Sequence, residues 1–206
     1  MRHSKAAAEK ILQPYMDALA GLFPAAWERW EKLGEALPEY RMNMCPRTRA
    51  SMLHNFAATD AEAEFDGMAP DVTLHKKRGL LLVGFDSQLY LRFKKYRNAN
   101  YATSGIATDQ QQAFEAQQPL TGFQESTNIV LGYVLNPLAN GIASMAVTCS
   151  TDGVVDWAID VPIPAQAAVV DLQPKIDAPV SGADAAVPEI SSTIREDRAE
   201  DGGIGG

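Results

Sequence analysis

The sequence predicts an α+β fold: N-terminal helices, then a mostly antiparallel sheet made of a three-strand meander, a helix and three more strands, with a disordered C-terminal tail. Three observations predict it. Apolar residues recur at helical spacing through about the first sixty positions. From residue 71 the pattern alternates with period two, interrupted by short turn signals. After residue 162 aromatic residues stop, and proline, alanine, glycine and acids take over. Residues 1–162 therefore read as one α+β domain, with a helical part over 1–60 and a sheet part over 71–162. Residues 163–206 read as a disordered acidic tail.

The helical part opens with Ser4, a plausible N-cap for residues 6–13, and Pro14 must kink or restart that helix. Pro24 fits a first helical position ahead of residues 25–33, where Trp27, Trp30 and Leu33 share one side. Gly34 and Pro38 mark its end. A further helix covers residues 48–58 with Met52, Leu53 and Phe56 inward, and Glu62, Glu64 and Asp66 follow as a solvated loop.

In the sheet part, residues 71–77, 80–85 and 88–96 read as three strands joined by turns at Arg78-Gly79 and Asp86-Ser87. Leu80 to Val83 is apolar on both faces, which places that strand inside the sheet. Leu89, Leu91 and Phe93 alternate with Tyr90, Arg92 and Lys94, the pattern of a half-buried strand with a polar aromatic face. A loop and a short helix over 109–117, capped by Thr108, lead to an apolar strand over 127–135. The last two strands, 142–149 and 154–161, form a hairpin around Asp152-Gly153. Val155, Trp157, Ile159 and Val161 should face one way there, and Asp156 and Asp160 the other.

Charge is unevenly spread. The chain carries a net −8, of which residues 163–206 hold −5. Such a segment cannot bury enough apolar area to offset its ordering entropy. Val169, Val170 and Leu172 are its one patch able to dock on something. Against this acidity, residues 76–97 hold seven of the eighteen Lys+Arg. Lys76, Lys77, Arg78, Tyr90, Arg92, Lys94, Tyr96 and Arg97 form the candidate binding face. Three readings of that block stay open: lysines guarding a sheet edge, phosphate contact with tyrosines stacking on bases, or docking of an acidic partner or of the tail.

No catalytic residue, metal ligand set or cofactor is expected. His3, His54 and His75 stand apart, and the chain has no H-E-x-x-H, P-loop, G-x-G-x-x-G or G-x-S-x-G motif. Cys45 and Cys149 form no C-x-x-C motif and suit a reducing cytoplasm; Cys149 on an apolar strand reads as a buried hydrophobe. Charges at Glu9, Lys10 and Asp17 interrupt any secretory apolar region, and no stretch nears the roughly 20 apolar residues that cross a bilayer. One enzymatic template is similar in element order: nucleases of the PD-(D/E)-x-K class place an acid two residues before a strand lysine. Here that position is Arg92, ahead of Phe93 and Lys94, and an arginine repels a divalent cation. A fold of that kind would be a degenerate nuclease.

Four segments taken together carry a family resemblance: residues 45–50 running into Met52-Leu53-His54-Asn55, residues 91–95, residues 129–135 and residues 155–159. Over residues 40–162 the chain resembles an uncharacterised family of small bacterial and prophage proteins encoded beside metallopeptidases of the ImmA/IrrE type. The resemblance implies a protein partner, a neighbouring toxin or metallopeptidase, and an antitoxin-like or regulatory role in a prophage or defence module. The leading expectation is thus a non-enzymatic, cytoplasmic interaction protein. A nucleic-acid-binding protein, including the degenerate nuclease fold, is the alternative, and an acidic anti-defence inhibitor the third.

Deleting residues 163–206 should barely move the melting temperature, because it removes no aromatic residue and little periodic apolar pattern. A loss of several degrees in differential scanning calorimetry would contradict the domain boundary at residue 162.

Overall fold

The computed structural model describes residues 2–77, 80–103, 109–118 and 126–164, the side chains of residues 77 and 110 excepted. Helix α1 (Lys5–Leu12) starts where the Ser4 hydroxyl accepts a bond from the Ala7 N–H. Pro14 sits in a 3-10 turn over Gln13–Tyr15, and the chain restarts as α2 (Met16–Ala36). Pro24 lies inside α2 instead of opening a helix. An interior proline costs about 3 kcal/mol. Leu19, Leu22 and Phe23 before it and Ala26, Trp27 and Trp30 after it are all buried, and that continuous stripe holds the helix through the break.

Two helices follow, α3 (Pro38–Asn43) and α4 (Pro46–Phe65). The second outruns the expected 48–58 at both ends, so Glu62 and Glu64 are helical rather than loop. Leu53, Ala57, Ala61 and Phe65 bury one side of it. Arg29 of α2 pairs with Asp60 and stacks over Phe56, 5.5 Å from the ring centroid, joining the two long helices.

The strands are β1 (Val72–Lys77), β2 (Leu80–Phe85), β3 (Leu89–Lys95), β4 (Thr127–Leu135), β5 (Ile142–Thr151) and β6 (Val154–Val161), with α5 (Asp109–Glu115) between β3 and β4. They form one six-stranded sheet in sequence order. Neighbours are antiparallel except β3 and β4, which run parallel with Leu91 level with Ile129. The expected turns at Asp86-Ser87 and Asp152-Gly153 are present, with positive φ at all four residues as tight hairpins require. Arg78-Gly79, Thr108 and residues 165–206, with Val169, Val170 and Leu172, lie outside the described residues.

The sheet buries both faces. One carries Val83, Phe85, Leu91, Phe93, Ile129, Leu131, Tyr133, Val147 and Ile159 against the N-terminal helices. Phe23 stacks on Tyr133 at 4.6 Å and meets Phe93 edge-on at 6.2 Å. The other face carries a smaller cluster of Leu82, Tyr96, Val130 and Phe114 of α5. The expected alternation along β6 fails at its start. A bulge sets Trp157 opposite Cys149 but Val155 opposite Ser150, so Asp156 is the extra residue. Its carboxylate accepts bonds from Thr151 and Arg2.

Tyr96 locks the centre of the sheet. Its ring lies against Gly132, and its hydroxyl sits 3.0 Å from the Val130 carbonyl, 3.3 Å from the Ala146 carbonyl and 2.8 Å from Thr148 Oγ1. A Cβ at position 132 would overlap that ring. Gly132→Ala should cost about 1–3 kcal/mol in urea denaturation. The Tyr96→Ala/Gly132→Ala double variant should cost clearly less than the sum of the singles. Strict additivity would show that the ring is not what excludes a side chain.

Candidate functional site

Of the eight residues expected to form a basic aromatic face, β3 brings Tyr90, Arg92 and Lys94 to one side, and Tyr96 joins them just beyond its end. That side is covered by α5, so the strand is not half-buried: Leu89 to Phe93 are all buried. Arg92 is only 6% exposed and its guanidinium lies 4.7 Å from the Phe114 ring centroid. Its Nε has no hydrogen-bond partner. Burial lowers the Arg92 pKa, and the Glu115 charge opposes that shift. Lys94 is half-buried and likewise lowered by burial and by Arg92, against Glu115. Tyr90 and Tyr96 are buried, and burial raises both phenols. Lys76 lies apart on the outer strand β1 and pairs with Glu62, while Arg97 is exposed past the end of β3. Arg78 and the Lys77 side chain are outside the described residues.

Beside Phe114 lies a small cavity of about 30 Å³, lined among others by Tyr101, Thr103, Glu115, Asn128 and Ser150. Gln117 closes its floor by acting as a surrogate strand residue. Its Oε1 accepts from the Asn128 N–H at 2.8 Å, and its Nε2 donates to the carbonyls of Asn128 and Ser150. The Asn128 Nδ2 donates to the Phe114 carbonyl, and its buried Oδ1 has no partner. The cavity has room for one or two waters, and a water donating to Oδ1 is the chemistry it fits.

Asp71 and Asp86 meet at the other end of the sheet, where the Asp86 N–H donates to the Asp71 carbonyl at 2.7 Å. Lys94 is five residues along β3 from Leu89, about 16 Å at strand rise. These two acids, the carboxylates that flank the first two strands, are therefore not brought to Lys94, as a nuclease site of the PD-(D/E)-x-K kind would need. No group of three or more His, Cys, Asp or Glu able to hold a metal occurs among the described residues. Cys149 is buried, and burial pushes its thiol up to about 11.

The surface that sequence reasoning missed lies where α3 meets the start of α4. Leu37, Tyr40 and Met42 are exposed there, Tyr40 at 58% and Met42 at 82%. The segment is held firmly: Arg41 folds back to Glu31 at 2.9 Å, stacks 5.8 Å from the Trp30 ring and fills the space beside Gly34. Next to it Arg49 donates to the Ala139 carbonyl at 2.8 Å, and its charge reaches Lys95 and Tyr133. The β3 alternation carried the signal for Lys95: counting by twos from Leu89 puts it on the helix side, opposite Lys94.

The chain matches no family model, no curated protein and no solved structure. No helix among the described residues is long and apolar enough to cross a membrane.

His54 of α4 is half-buried, edge-on to Phe93 at 6.4 Å. Burial lowers its pKa, the Asn55 hydrogen bond opposes that, and the Lys94 and Arg92 charges lower it further. Below its unfolded pKa of about 6.5 the unfolded chain binds a proton that the folded chain resists. Stability should therefore fall as pH drops from about 6.5 toward the folded value, and His54→Gln should flatten that part of the profile. Urea midpoints measured across this range would check it; an unchanged slope would remove His54 from the account.

Proposed function

We propose that the protein is a non-enzymatic interaction protein, an antitoxin-like or regulatory partner of a metallopeptidase or toxin encoded beside it in a prophage or defence module, working in the cytoplasm. The observation that carries this reading is the α3 corner. Six residues expose two large apolar side chains, Tyr40 and Met42, beside exposed Leu37, on a segment pinned by Arg41. Large apolar side chains held in water on one short segment are suited to protein contact, and a pinned segment loses little freedom when it binds. The nucleic-acid alternative drew on the β3 face, and its central side chains, Tyr90, Arg92 and Tyr96, are buried.

The test is co-purification of the full chain with the product of the adjacent gene. Tyr40→Asp/Met42→Asp should keep the melting temperature, since both side chains are exposed, and reduce the captured partner about tenfold or more. Undiminished capture would move the interface elsewhere. Salt-sensitive binding of a DNA or RNA duplex with no protein partner would favour the alternative.

A further inference from the structure

Arg47, Arg49 and Lys95 are cations placed against the electrostatic grain. Helix α4 has twenty residues, so its N-terminus carries the positive end of a substantial dipole. Acids are favoured in such a first turn, and none is present; Arg47 and Arg49 stand there instead, and the N-cap Cys45 makes no side-chain capping bond. Lys95 approaches from β3, where burial and then the Arg49 charge lower its pKa. Arg29, Arg41 and Lys76 each have a carboxylate partner in this chain. Arg47, Arg49 and Lys95 have none among the described residues, in a chain whose net charge is −8.

The same place displays an apolar tip. The turn between β4 and β5 is cross-braced: Asn136 Nδ2 donates to Asn140 Oδ1 at 2.6 Å, the Asn140 N–H to Asn136 Oδ1 at 3.0 Å, and the Asn136 N–H to the Gly141 carbonyl at 2.9 Å. Arg49 fastens the turn to α4 through the Ala139 carbonyl. On this rigid turn Leu138 is 80% exposed. A preformed turn that holds a leucine in water beside Arg49, which has no carboxylate partner among the described residues, is organised for contact, since the ordering cost is already met.

We propose that the surface formed by the first turn of α4, Lys95 and the β4–β5 turn docks an acidic segment of a partner protein, with carboxylates on Arg47, Arg49 and Lys95 and an apolar side chain against Leu138. The inference rests on the interaction reading above and supplies the chemistry of the partner. Charge complementarity selects the occupant. A second copy meeting this surface by two-fold symmetry would set cation against cation. A phosphate backbone would leave Leu138 facing a strongly hydrated partner.

A fluorescein-labelled peptide of alternating glutamate and leucine, titrated into the full chain and followed by anisotropy, tests it. Binding should weaken as salt rises, and about tenfold or more in Arg47→Glu/Lys95→Glu and in Leu138→Asp, each confirmed folded by its thermal melt. A lysine–leucine peptide should not bind. Equal binding by the variants, by the lysine peptide or by a labelled DNA oligomer would overturn the proposal, as would no binding of the glutamate peptide. The same variants in the co-purification assay separate the two ideas. A partner still captured in full by Arg47→Glu/Lys95→Glu overturns the acidic-segment inference and leaves the interaction reading standing. Peptide binding at this surface with no partner captured by the unaltered chain supports the inference and removes the assigned neighbour.

Discussion

The parallel pairing of β3 with β4 governs much of this molecule. Every other neighbouring pair of strands is antiparallel and joined by a short connection. A parallel pair cannot be joined that way, because the chain must return to the end from which it started, and it does so through a crossover on one face of the sheet. The other face is already occupied by α2 and α4. The crossover that contains α5 therefore falls across Arg92 and Tyr96. A strand that would be half-solvated in a simple meander becomes covered on both sides. Its arginine ends against an aromatic ring, where the guanidinium gains a cation–π contact in partial compensation for lost water.

Local signals were legible where local physics decides. The limits of β2, β4 and β6 follow from apolar runs bounded by turn residues, and the turns at Asp86-Ser87 and Asp152-Gly153 follow from their demand for positive φ. The parity of β3 was also legible: Leu89, Leu91 and Phe93 share one face and Tyr90, Arg92 and Lys94 the other. What parity cannot say is whether the second face meets water. That depends on a helix about twenty positions away in the chain. Pro24 failed for a related reason. Its intrinsic cost is local, but the buried stripe that outweighs it is tertiary. The bulge in β6 inverted Val155 because one inserted residue changes which face the preceding residues occupy.

The binding corner was invisible for a different reason. Arg47, Arg49, Lys95 and Leu138 come from three separate elements, and each alone reads as an ordinary surface residue. Only the fold shows that Arg49 shares a locality with Lys95 and the β4–β5 turn, and that the charge pairing seen elsewhere among the described residues stops short of these cations. The basic cluster conspicuous in the sequence has Arg92 interior and Lys94 half-buried, with Lys76 and Arg97 exposed at its two ends. The useful one is assembled by folding, on the opposite side of β3, from residues that no linear window collects.

The residues ahead of α1 also reach across the sheet. The His3 N–H donates to Thr127 Oγ1 at 2.9 Å, its ring lies 2.8 Å from Gln88 Oε1, and its carbonyl accepts the Trp157 indole N–H at 3.2 Å across 154 positions of chain. Arg2 extends the same strap to Thr151 and Asp156. On a ribosome, then, the peptide around His3 is released long before the strand that fastens it exists. Contacts of such long range form late and slow the search for the native state. Until β6 emerges from the exit tunnel, the early helices have an apolar stripe and only part of the sheet to cover it. During that interval the uncovered stripe is the kind of surface that aggregates or is sheltered by chaperones, and synthesis that pauses before β6 is complete would prolong the exposure.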